Sequence, residues 1–380
     1  MLLYIGIFAV LATLSWIEIF NGASIKKNQR FFITVVATFF LVLSAIRWER
    51  GTDWSPYYEY FISIQSIDLG SNDRFELGYK YLNYIVNLIS DNYTVFLAIC
   101  ALIVYAFQKK AILNFSFLNL KRSINQDVNL KYENEYPMTM LLIIWTLYLG
   151  NVFVVRSTIA YIILFFSIIY IRERRLLLFL VFVTIAALFH RSAIIFLPAY
   201  YLYHIRLNKR LIVLVIMLLP LVIYLADDGM LLLTKVLGGS YEYKVNNYLY
   251  ISNAGNSLSG VINNFLLVGL FILMYFKKFK SNSDQFRGMF NLFLFGVLLY
   301  LGTYINSTSL TRIALPYMMT QIVLIPYVFK WIKNPGIKLL VFGVLILYLI
   351  SRNFSVISTY WDLYIPFKSI FDMDTNVIIY

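Results

Sequence analysis

Apolar runs recur along almost the whole chain, and they constrain its fold more than any motif does. In hydrocarbon every backbone N–H and C=O must find its partner within the chain, so runs of this length are expected to be helices that cross a bilayer. Spans are expected near 2–20, 31–46, 92–107, 138–154, 157–171, 176–189, 192–205, 211–226, 261–276, 288–305, 313–329 and 338–351. That is about twelve crossings in one integral membrane domain over 1–380, an all-α polytopic membrane protein. Composition agrees: 61% of the 380 residues are hydrophobic and 13% charged, about half the charge of a soluble domain. The first run lacks a basic leader and a small-residue cleavage site, so it is expected to stay as a span.

The net charge of +13 must be read by location, because loops on the cytoplasmic side collect Lys and Arg. It does not point to nucleic acid. Basic connections (KKNQR, QKK to KRSINQDVNLK, RERR, HIRLNKR, KKFKSNSDQFR and KWIKNPGIK) alternate with less basic ones along the chain. Assigning the basic set to the cytoplasm puts both termini outside. The scheme requires that 75–90, FELGYKYLNYIVNLIS, not be a full crossing. Its apolar residues fall at helical spacing, interrupted by Lys80, Asn83 and Asn87, which predicts an amphipathic helix at the outer interface or re-entering the bilayer. Two long external segments result, 47–91 with that helix and 227–260, which is rich in Gly, Ser, Asn and Tyr.

Five arginines lie at span edges on this external side: Arg47, Arg50, Arg156, Arg191 and Arg312. A single one would be an interfacial side chain that buries its stem and wets its head. Five from four separate edges point to an anionic pocket, and Arg suits phosphate oxygens because its planar fork stays charged and binds in bidentate fashion. Asp53, Glu76 and His190 lie beside them. The carboxylates serve either to neutralise arginines or to take a proton, and His190 is the more usual proton acceptor near neutral pH. Tyr57 and Tyr317 are candidate sugar contacts among 31 tyrosines, most of which belong to interfacial belts. No metal site is expected. Cys100 is the single cysteine, the histidines number two, and a D-x-D pair occurs only as Asp372 and Asp374 near the C-terminus.

The ordered motifs resemble the EpsG family of bacterial polysaccharide proteins, within the Wzy-type polymerases. They are Arg50-Gly51-Thr52-Asp53 with Tyr57, Glu76-Leu77-Gly78-Tyr79, Arg156-Ser157-Thr158-Ile159-Ala160, His190-Arg191-Ser192-Ala193, and Arg312-Ile313-Ala314 with Tyr317. Leu77 stands where proline is expected. The resemblance covers most of 1–330 and implies a GT-C-like fold. It implies an enzyme of the bacterial cytoplasmic membrane that joins two undecaprenyl-pyrophosphate-linked oligosaccharides at the outer leaflet and releases undecaprenyl pyrophosphate. Arg156 and Arg312 are then expected on the donor pyrophosphate, with Arg47, Arg50 and Arg191 on the acceptor pyrophosphate or in support. His190 or Asp53 is the base, and Glu76 positions. No cofactor is implied, and membrane lipids and a chain-length regulator are further partners to look for. A flippase of lipid-linked glycan, a ligase of the same topology and an acyltransferase are the rival readings. Against transport, the chain has no repeat of its hydropathy pattern, and the arginines lie near one edge rather than along a pathway.

Overall fold

The computed structural model of the chain describes residues 1–21, 28–51, 54–64, 66, 75–116, 136–148, 155–208, 210–212, 217, 258–276, 284–304, 310–359 and 361–372. Among them the regular structure is helical, and the one extended pairing is an isolated bridge between Arg47 and Ser369. In chain order the helices are α1 (Leu2–Phe20), α2 (Gln29–Ile46), α3 (Trp54–Ser63), α4 (Leu77–Ile89), α5 (Tyr93–Ser116), α6 (Pro137–Leu147), α7 (Arg156–Arg172) and α8 (Leu176–Phe189). There follow α9 (Ala199–His204), α10 (Leu258–Phe276), α11 (Asp284–Tyr304), α12 (Leu315–Met318), α13 (Gln321–Trp331), α14 (Pro335–Thr359) and α15 (Trp361–Tyr364). Short 3₁₀ segments cover Arg191–Phe196, Leu310–Ala314 and Ile370–Asp372.

Helices α1, α2, α5, α11 and α14 contain five stretches long and apolar enough to cross a membrane. A bent pair, Thr311–Met318 with α13, makes six if it counts as one span. The chain is therefore a helical polytopic membrane protein, with five or six of the expected crossings meeting this test among the described residues. The expected span 211–226 lies outside the described residues except at 211, 212 and 217, and loop 227–260 does so except at its last three. Two expected spans are interrupted. In 192–205 the break falls at Pro198, between the 3₁₀ turn and α9, because proline has no N–H to give a continuing helix. In 313–329 it falls at Met319 and Thr320, where the Thr320 hydroxyl takes the Tyr317 carbonyl at 2.7 Å. Helix α3 was not foreseen inside the long segment 47–91; its buried anchors are Tyr57 and Phe61, one helical turn apart.

The chain divides into two compact units: Met1–Ile169 with Leu188–His190 and Ile325–Tyr380, and Tyr170–Ala187 with Arg191–Leu324. In the first, α6 is apolar on every side and buried along its length, as a helix enclosed by others should be. Trp145 is held between Tyr4 of α1 and Phe40 of α2, at centroid distances of 5.9 and 5.4 Å. Helix α14 does the opposite and presents Ile337, Leu340, Val344, Leu347 and Phe354 outward as an apolar stripe. Helix α4 is amphipathic as expected, but its polar side faces inward. Lys80 and Asn83 are buried, whereas Leu77, Tyr81, Ile85, Leu88 and Ile89 are exposed. Its exposed side is thus fit for lipid and its polar side for a protein interior.

Lipid is as apolar as leucine, so packing and hydrogen bonds, rather than water exclusion, hold such helices together. One such link in the first unit is Glu18, a buried carboxylate in α1. It accepts hydrogen bonds from the Met138 N–H at 3.0 Å and the Thr139 N–H at 3.1 Å, at the start of α6. Gln29 of α2 donates to it at 3.4 Å, and Ser15 meets the Thr139 hydroxyl at 2.7 Å. Proline at the first position of α6 has no donor to satisfy, so Glu18 covers the next two and lies at the positive end of that helix.

In the second unit, Asn291 of α11 donates to the Leu202 and Ile205 carbonyls at 2.9 and 2.7 Å and so closes the end of α9. Arg172 donates to the Gln285 side chain at 3.0 Å.

Glu18→Ala is expected to lower the thermal unfolding midpoint of detergent-purified protein by several degrees, because it strands two buried donors at about 1–3 kcal/mol each. Glu18→Gln, which keeps one acceptor oxygen, is expected to cost less. An unchanged midpoint for Glu18→Ala would show that water replaces the carboxylate.

Candidate functional site

The first unit brings together Glu76, Arg156 and His190, three residues far apart in the chain. Glu76 is the residue before α4, and its carboxylate makes no hydrogen bond to its own helix. It turns instead to Arg156 and His190. Arg156 donates from Nη1 to Glu76 Oε2 at 2.8 Å, and His190 Nδ1 lies 3.6 Å from Glu76 Oε1. The three side chains are 8%, 18% and 22% exposed, so this is a sheltered cluster.

Each position has a local cause. Arg156 opens α7, where the helix dipole disfavours a cation, so the guanidinium depends on Glu76 for its place. That same end of α7 presents backbone N–H groups, which together with a guanidinium favour an anion. The Arg156 guanidinium also lies over the Phe75 ring, 5.5 Å from its centroid. His190 follows the last residue of α8 and sets its ring edge-on to Tyr161 of α7 at 5.8 Å. Its Nδ1 makes no hydrogen bond; at 3.6 Å the carboxylate is near but short of one. Phe75 further lines a cavity of about 540 Å³ with Pro56, Glu59, Tyr60, Ser63 and Lys80, between α3 and α4.

The other expected site residues have different surroundings. Arg47 is 2% exposed, and its Nε and Nη1 have no hydrogen-bond partner. Burial works against its charge and draws it below the ordinary arginine value. Arg50 donates from Nη1 to the Asp362 carbonyl at 2.8 Å. With the Trp48 N–H on the Lys368 carbonyl at 3.0 Å and Lys368 on Glu49 at 3.4 Å, the 47–50 turn is stitched to the C-terminal segment. Glu49 and Gly51 have positive φ, 48° and 105°, which turn the chain there. In this conformation Arg50 ties the turn to the C-terminal segment, whereas the Arg47 side chain is enclosed with two donors unpaired. Asp53 lies outside the described residues. Arg191 and Arg312 are exposed and lie in the second unit.

Both candidate sugar tyrosines have buried rings. Tyr57 packs against Phe75 and Tyr79, and Tyr317 donates its hydroxyl to the Ile195 carbonyl at 2.7 Å. A buried ring has no face to offer a sugar, so in this conformation both are packing residues. Asp372 accepts from the Ser369 N–H and hydroxyl, both at 2.8 Å, which holds its carboxyl below the ordinary value, and Asp374 is not described. Among the described residues there is no group of three potential metal ligands. Glu18 is the polar residue that sequence reading passed over; a lone glutamate inside an apolar run was its signal.

A helical membrane protein with a sheltered Arg–Glu–His cluster is a class that fits several lipid-dependent activities. The sequence profile of the EpsG family matches residues 30–369, and the chain belongs to that family. Its members are Wzy-type polysaccharide polymerases. No curated protein and no solved structure matches the chain.

Arg47→Met is expected to raise the thermal midpoint, since it removes a buried charge with unpaired donors, a replacement often worth about 1–4 kcal/mol. A lowered midpoint would mean that Arg47 has a partner in the working protein, an anion or ordered water.

Proposed function

We propose that this chain polymerises lipid-linked oligosaccharide repeat units at the outer leaflet, with undecaprenyl pyrophosphate as the released carrier. The observation that carries the reading is Glu76 bridging Arg156 and His190, in a member of a polymerase family. In the reaction, a hydroxyl oxygen of the acceptor sugar attacks the anomeric carbon of the donor glycan. The bond from that carbon to the pyrophosphate oxygen breaks, and the pyrophosphate leaves with the electron pair.

Arg156 is assigned to the donor pyrophosphate. Glu76 accepts from its Nη1 and so holds in place a guanidinium whose charge meets the negative charge that grows as the bond breaks. His190 is assigned as the base that takes the acceptor hydroxyl proton. The nearby Glu76 oxygen favours a proton on Nδ1, so Nε2 is the nitrogen left to accept; this is the orienting role of a carboxylate behind a histidine. Arg312 and Arg191 are assigned to the second pyrophosphate or to its approach. Helix α4, apolar outward and polar inward, gives the site a floor that meets lipid. Neither step calls on a metal ion, because charge on the leaving group is met by guanidinium. The cavity beside Phe75 is assigned to the glycan next to the reacting carbon.

The test is the length pattern of lipid-linked glycan in the native host, with membrane protein level measured alongside. Arg156→Ala is expected to leave single repeat units on the carrier and to lower polymer formation by about 10²–10³-fold, the cost of removing one charge-stabilising donor. Arg156→Lys, which keeps charge and loses the fork, is expected to recover little. Polymer of normal length and amount from Arg156→Ala would refute the assignment. Loss of all surface-side lipid-linked material would point to transport instead.

A further inference from the structure

We propose that Gly78 is a positioning residue: its missing side chain lets α4 close onto the end of α8 and so sets Glu76 against His190. A Cβ placed on Gly78 would lie 2.8 Å from both the Cβ and the carbonyl oxygen of Leu188, and 3.0 Å from its carbonyl carbon. Two of those atoms are backbone and cannot rotate away, so any larger residue must push α4 back by several tenths of an ångström. Leu188 is two residues before His190, and Gly78 is two residues after Glu76. The closest approach of the two segments is therefore placed directly beside the Glu76–His190 contact.

That contact has no slack. At 3.6 Å it is already longer than a hydrogen bond, so a retreat of α4 takes the carboxylate out of reach of the imidazole. Arg156 has a long, flexible side chain and can follow Glu76 part of the way, whereas His190 is fixed at a helix end against Tyr161. Gly6 of α1 is not under this constraint, with nothing within 4 Å of a built Cβ. Gly343 in α14, of the same unit, has nothing within 4 Å of a built Cβ. The open surroundings of Gly343 make it the control.

The decisive experiment is a double-mutant cycle on the full chain in nanodiscs, read by thermal unfolding midpoint, so it does not depend on what the protein catalyses. Gly78→Ala and Glu76→Gln are each expected to lower the midpoint. Together they are expected to lower it no further than the larger single effect, because both disable the same Glu76 contacts. Gly343→Ala is expected to leave the midpoint and its response to Glu76→Gln unchanged. Additive effects of Gly78→Ala and Glu76→Gln would overturn the proposal and leave Gly78 as a packing residue only. Should Gly78→Ala not fold, the cycle is run in Gly78→Ala with Leu188→Gly, which removes the side-chain half of the clash.

The kinetic arm rests on the polymerase reading. With lipid-linked repeat units extracted from the host, Gly78→Ala is expected to lose at least about tenfold in kcat, the low end of a misplaced proton acceptor, with KM within about twofold. A non-additive thermal cycle in a protein that makes no polymer would uphold the role of Gly78 and sink the polymerase reading. A kcat unchanged in Gly78→Ala would contradict the proposal whatever the thermal cycle gives.

Discussion

A carboxylate inside a lipid-embedded protein must be matched by donors or by a cation, and two such carboxylates organise the first unit of this chain. Glu18 is met by the N-terminal N–H groups of α6 together with Gln29 and the Thr139 hydroxyl. Glu76 is met by Arg156 and approached by His190. The same physics gives two different results. Glu18 is ringed by donors, and its task is to dock three helices. Glu76 holds Arg156 at 2.8 Å and lies 3.6 Å from the His190 imidazole.

The placement of polar residues on α4 follows from this. Thirteen residues give a helix too short to cross a bilayer at 1.5 Å per residue. With Lys80 and Asn83 turned inward and Leu77, Tyr81, Ile85 and Leu88 outward, it is built to lie among lipids and present polarity to the protein. Glu76 stands at the head of that helix, and Gly78 allows the head to touch Leu188. The local sequence Glu-Leu-Gly-Tyr thus combines a charge, a lipid-facing residue, a close approach and a buried ring in four consecutive positions.

Much of the helical plan was legible, because period and length are local properties of sequence. The bounds of α1, α2 and α8 lie at or near those expected, and α4 was separable from a true span by its Lys80, Asn83 and Asn87. Breaks inside apolar runs were less visible. Pro198 marked one in the sequence, but the interruption at Met319 and Thr320 follows a hydroxyl turning on its own backbone. In the site, the arginines and Glu76 drew notice as charges near span ends. Which of them meet was not readable, since residues 76, 156 and 190 are joined only by packing. Arg47 and Arg50 show the converse. Their motif is prominent, yet their surroundings in the fold are the C-terminal segment at Asp362 to Ser369, which no local pattern announces.

The central claim is that one carboxylate serves both a guanidinium and an imidazole. It is tested most directly by an experimental map of the full chain in a lipid nanodisc, at a resolution that shows side chains. The account predicts Glu76 between Arg156 and His190, within about 4 Å of each, with Gly78 packed on the Leu188 carbonyl. Density placing Glu76 toward solvent or lipid headgroups, with Arg156 and His190 in separate surroundings, would contradict it.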